Sequence, residues 1–71
     1  MASPILRWFT WDHLPPHLRP CVQRFSELAQ DVDTNLPDSA EKSVALRKLL
    51  EAKDAAVRAA VENHEKESTS R

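Results

Sequence analysis

Pro37-Asp38-Ser39-Ala40-Glu41-Lys42-Ser43-Val44-Ala45-Leu46-Arg47-Lys48-Leu49-Leu50-Glu51-Ala52-Lys53-Asp54-Ala55-Ala56-Val57-Arg58-Ala59-Ala60 is the segment around which the rest of the chain is organised. Asp38 offers a carboxylate to the free amides of a first helical turn, and Glu41, three residues on, can reach back. Asp38-x-x-Glu41 therefore predicts an N-cap with its capping-box partner. Pro37 holds Leu36 in extended geometry and ends any helix before it. Behind the cap lie more than twenty residues without Gly or Pro, dominated by Ala, Leu, Lys, Arg and Glu, all compatible with a helix interior. A long second helix over 39–64 follows, the second arm of a helical hairpin.

Upstream of the turn, a first helix is predicted over 20–36, opening where Pro16 to Pro20 are tolerated in an initial turn. Leu18, Cys21 or Val22, Phe25, Leu28 or Ala29, Val32 and Leu36 recur at steps of three and four, which makes one apolar stripe and the core face. Arg24, Glu27 and Asp31 fall on other faces. Cys21 lies on or beside the stripe and reads as a buried, inert thiol, since no partner is placed to lower its pKa. Residues 1–19 form an irregular or extended arm, broken by Pro4, Pro15 and Pro16. Three aromatics, Trp8, Phe9 and Trp11, crowd into four positions of it, and such a cluster must be buried or bind something. Trp8 and Phe9 are assigned to packing on the hairpin and Trp11 to a ligand. The polar, aperiodic 65–71 reads as a tail that frays.

At 71 residues the chain is one domain, and a chain of this size buries only about 60% of its unfolded surface. A single cysteine excludes an internal disulfide, and three histidines at irregular spacing make no zinc pattern. Association with other copies is the remaining source of stability. The second helix points the same way: Ala45, Ala52, Ala55, Ala56, Ala59 and Ala60 admit close neighbours on several faces, and it outruns its partner by roughly 15 Å. A net charge of -1 gives no general attraction to DNA or to anionic membrane. No apolar run approaches the ~18 residues of a membrane span, and the N-terminus lacks the features of a secretory signal, so an intracellular location is expected.

The absence of glycine removes the phosphate-cradling loops and strand-turn-helix nucleotide motifs that need close backbone approach. No nucleophile with a base, metal set or forced carboxylate pair is visible. His13 and His17 stand four apart, but the prolines between them oppose a helical metal pair. A binding or structural protein is expected, without enzymatic activity or cofactor. Lys42, Arg47, Lys48, Lys53 and Arg58 face Glu41, Glu51 and Asp54 over 41–58, as a solvated face with i,i+4 pairs or as a local phosphate site. Arg58, a planar fork among alanines, is the best phosphate candidate.

Two stretches together resemble a known family. Phe9-Thr10-Trp11-Asp12-His13-Leu14-Pro15-Pro16 is similar to the Phe-Thr-aromatic-His-Pro-Pro start, and Leu28-Ala29 with Leu36 to Ala52 to the hairpin, of the bacteriophage anti-CBASS and anti-Thoeris sponges. The resemblance covers about residues 9–60. Its specific part is the Pro-Asp-Ser-x-Glu-Lys-Ser-x-Ala-Leu-x-Lys-Leu-x-Glu-Ala spacing. Asp12 and Leu14 interrupt the family's aromatic-His-Pro-Pro order, the link from the prolines to the first helix is shorter, and Ala55 or a neighbour stands where a tryptophan is usual.

The resemblance implies an all-α, two-helix antiparallel hairpin with an irregular aromatic N-terminal arm, assembled as a homo-oligomer, commonly a hexamer, with ligands between protomers. It implies sequestration of cyclic di- or trinucleotide immune signals in the host cytoplasm. Trp11 carries over as the base-stacking aromatic and Arg58 as the phosphate-binding residue. His13, Arg24 and Lys53 complete the candidate ligand-binding set. The competing reading is a helical protein-protein adaptor without a nucleotide ligand.

Overall fold

The computed structural model describes residues 3–69. They form a short 3₁₀ helix, Pro4–Phe9, and two long helices, α1 (Arg19–Asn35) and α2 (Ala40–Thr69), with no strand among the described residues. The long helices pack on each other and the 3₁₀ helix packs on both. At ~1.5 Å per residue α2 is about 45 Å long, and it sets the long axis of a molecule 50 × 20 × 15 Å across.

The helix boundaries follow from local chemistry. Pro20 sits in the first turn of α1, where an amide would have no helical partner in any case. Leu36 closes α1 in extended geometry, φ -110 and ψ 141, just before Pro37, and its N–H still donates to the Val32 carbonyl at 3.2 Å. Ser39, not Asp38, caps α2: its Oγ accepts the Lys42 amide at 3.1 Å, and its carbonyl accepts the Ser43 amide at 3.2 Å. The expected Asp38-x-x-Glu41 box is displaced by one residue because the Asp38 carboxylate is drawn to the Lys42 ammonium, 2.9 Å away. α2 runs past the expected end at His64, through Thr69. Glu65, Lys66 and Glu67 are good helix formers, and no Gly or Pro stops them. Of the expected tail, Ser70 and Arg71 lie outside the described residues.

Phe9, Ala29 and Leu46 form the buried core, with Ile5, Leu6, Phe25, Val32, Leu49 and Leu50 packed around them. The stripe on α1 resolves to Val22 over Cys21 and to Ala29 over Leu28, while Leu28 and Leu36 are each 49% exposed. The arm is a correction to the expected irregular segment. Pro4 opens it at a position where proline is tolerated, and in a three-residue turn Leu6 and Phe9 fall on one edge, which faces the hairpin. Phe9 is fully buried, whereas Trp8 remains 56% exposed. Only one of the two residues assigned to packing is used for it.

A polar lock joins the three helices at the turn. The Lys42 side chain, buried, donates to the Asp33 carbonyl at 2.7 Å and the Leu36 carbonyl at 3.1 Å, and pairs with Asp33 at 3.2 Å and Asp38 at 2.9 Å. The other side of Asp33 holds the arm: the Ser3 amide donates to Oδ2 at 3.3 Å and the Ser3 hydroxyl to Oδ1. The Ser3 hydroxyl, opposed by burial and helped by Lys42, holds the Asp33 carboxyl below its ordinary value. The Asp38 carboxylate, with burial opposing it and Asp33 adding to it, raises the Lys42 ammonium.

Residues 10–18 turn back along α2. Arg19 Nε donates to the Leu14 carbonyl at 2.7 Å, Leu18 is buried, and His17 stacks on His64 of α2 with ring centroids 4.0 Å apart and planes 15° apart. This segment covers part of the α2 overhang that α1 is too short to reach. No described helix is long and apolar enough to cross a membrane.

Candidate functional site

The 3₁₀ helix, the 10–18 turn, α1 and α2 all contribute to an open cleft of about 480 Å³, within the size range of small-molecule sites. Leu14, Val22 and Val57 supply aliphatic lining. Arg7, Trp8, His13, Lys53, Asp54 and Arg58 line it as well. Lys53 and Val57 are four apart on α2, one turn, so they share a face, with Asp54 and Arg58 on the adjoining one. Val22 reaches the cleft from α1, and Arg7 and Trp8 come from the arm.

Three of the five residues named from the sequence, His13, Lys53 and Arg58, meet in this cleft. The other two do not line it. Trp11 is half-buried in the turn where its carbonyl accepts the Leu14 amide at 3.1 Å, and Arg24 is exposed on α1. The aromatic wall is Trp8, with the Arg7 guanidinium 5.0 Å above its ring. That arrangement orients the Arg7 fork by cation–π attraction while leaving most of the indole accessible. Sequence reasoning passed over Arg7, Trp8 and Asp54. Trp8 gave no periodic signal of its own: its outward position follows from the three-residue phase of Pro4–Phe9, which turns Phe9 inward and its neighbour outward.

Three cations, Arg7, Lys53 and Arg58, stand against one carboxylate, Asp54, in a chain whose formal charge is -1. Lys53 is the least exposed of them and pairs with Asp54 at 2.8 Å. The site therefore concentrates positive charge in an otherwise balanced molecule. Arg7 and Trp8 also line a second cleft, about 300 Å³, with Pro4, Ile5, Arg47 and Leu50. Arg7 and Trp8 are thus shared by two concavities with basic lining. Fork-shaped donors beside an aromatic face suit a ligand carrying both phosphate and base. Among the described residues no group of three His, Cys, Asp or Glu converges to hold a metal.

No protein-family profile, curated protein or solved structure matches this chain.

Proposed function

We propose that this protein is a non-enzymatic binder that sequesters cyclic di- or trinucleotide signals and so withholds them from a host defence effector, as its resemblance to the phage sponges implies. The observation that carries the reading is the cleft that exposed Trp8 lines together with Arg7, Lys53, His13 and Arg58. Trp8 supplies the stacking face that the resemblance assigned to Trp11. Arg7 and Arg58 supply planar forks for phosphate oxygens, and the second basic cleft past Trp8 gives a two-phosphate ligand room to extend.

Self-association belongs to the same proposal. Along α2 Ala45, Ala52, Ala55 and Ala59 are exposed, and Val44 and Val61 are exposed with them. Such a surface lets another helix approach closely, in a homo-oligomer such as a hexamer. Exposed Leu28, Leu36 and Val44 equally favour the adaptor reading, in which those residues hold a different protein.

Calorimetry of cyclic dinucleotides and trinucleotides against the parent and single variants tests the site. Stacking a base on an aromatic is worth ~1–3 kcal/mol, and a charge-assisted hydrogen bond about 1.5–3 kcal/mol. Trp8→Ala and Arg58→Ala are expected to weaken binding roughly tenfold or more, with Trp11→Ala much milder. Equal binding by Trp8→Ala and the parent would move the site elsewhere. A parent that binds no cyclic nucleotide leaves the adaptor.

A further inference from the structure

Asp54 is out of place in a cleft built to attract anions. It lies beside Lys53 on α2, half of its side chain is exposed, and its Oδ1 holds the Lys53 ammonium at 2.8 Å. A cleft meant only for phosphate would lose affinity to such a group, because a phosphate oxygen brought near Asp54 meets a like charge. Phosphates are steered instead toward Arg7 and Arg58, and the Lys53–Asp54 end is left for a part of the ligand that offers hydrogen-bond donors.

The pair sets a donor beside a carboxylate. Lys53 is donor only, and ionised Asp54 is acceptor only, with two oxygens. Read across the pair, the order is donor, acceptor, acceptor. The Watson–Crick edge of guanine is the complement: O6 accepts, N1–H donates and the N2 amino group donates. Adenine offers one donor and one acceptor, so it fills two of the three places. Uracil presents a donor flanked by two acceptors, and cytosine a donor followed by two acceptors, so each would set an acceptor against the carboxylate.

We infer that Lys53 and Asp54 form a base-reading pair that makes guanine the preferred base of the bound nucleotide, with Asp54 the specificity-determining residue. The inference rests on the nucleotide-binding reading above and narrows it to guanine-containing ligands. Trp8, which lines the same cleft, provides a face against which any base can stack. Stacking alone would not discriminate, and the pair supplies the discrimination.

The test is calorimetric titration of the full chain with cyclic di-GMP, cyclic di-AMP and cyclic di-IMP, the last lacking the N2 amino group. The parent and Asp54→Asn are compared after each is shown to have the same helical signal and mass. A well-formed bidentate base contact discriminates by about tenfold or more. The expected result is tighter binding of cyclic di-GMP than of the other two by the parent. In Asp54→Asn an amide donor replaces one acceptor, and this preference is expected to collapse while cyclic di-AMP binding changes little. Binding without a guanine preference, or a preference that survives Asp54→Asn, overturns the base-reading pair and leaves the nucleotide-binding proposal standing. A parent that binds none of the three, nor any cyclic trinucleotide, overturns both.

Discussion

Lys42 carries its ammonium into a site ringed by two backbone carbonyls and two carboxylates, so truncating it takes away the donor that the Asp33 and Leu36 carbonyls share and the charge that offsets the Asp33 carboxylate. Lys42→Ala should lower the thermal midpoint clearly below that of the parent, whereas Lys48→Ala, which removes a surface pair with Glu51 at 3.7 Å, should leave it within error. Equal midpoints for the two variants would contradict the lock. The same lock sets a pH profile. The Asp33 carboxyl is lowered from 3.8 in the fold. Its contribution is therefore complete above that ordinary value and is lost as the pH falls through the folded one. The Lys42 ammonium is raised from 10.5, so its contribution is complete below that value and is lost as the pH rises through the folded one. Midpoints measured across pH should show a plateau between, with acid and alkaline limbs, and Asp33→Asn should flatten the acid limb. In the cleft, Arg58→Lys should lose affinity although its charge survives, because an ammonium cannot present two parallel donors to one phosphate.

At the scale of elements, the arm is part of the fold rather than an appendage, since fully buried Phe9 shares the core with Ala29 and Leu46. Phe9→Ala should cost ~3–5 kcal/mol and Leu46→Ala ~2–5 kcal/mol in urea unfolding. A Phe9→Ala loss below about 1 kcal/mol would show the arm to be detachable. The hairpin was legible in the sequence because Pro37 punctuates it and the α1 stripe repeats over five turns. The arm was not, because six residues give only two turns of a period and the prolines around it read as breakers. Adjacent Asp38 and Ser39 are both good caps, and what decided between them was the tertiary pull of Lys42 on Asp38. The pairing of Lys42 with Asp33 spans the turn and has no sequence periodicity. Within the site, Lys53 and Arg58 were legible as cations on the second helix, and His13 as part of the aromatic-His-Pro-Pro-like stretch of the arm. That Trp8 lines the cleft and Trp11 does not depends on the phase of a 3₁₀ helix of two turns, too short a repeat to read from the sequence.

At the scale of the molecule, a small core supports a helix of 30 residues, and the exposed alanines and valines of α2 have no neighbour within one chain to cover them. Small domains without disulfide or metal commonly gain stability by oligomerising. Light scattering at micromolar concentration should report several subunits, and a stable, well-folded monomer would contradict assembly. The central claim is that the assembled protein holds cyclic nucleotides without consuming them. Native mass spectrometry with a panel of cyclic di- and trinucleotides tests it most directly, because one spectrum reports subunit number and the mass of any bound ligand. The account predicts a multi-subunit species carrying intact cyclic nucleotide after prolonged incubation. A species that retains none of the panel, or one that returns linearised nucleotide, would contradict it.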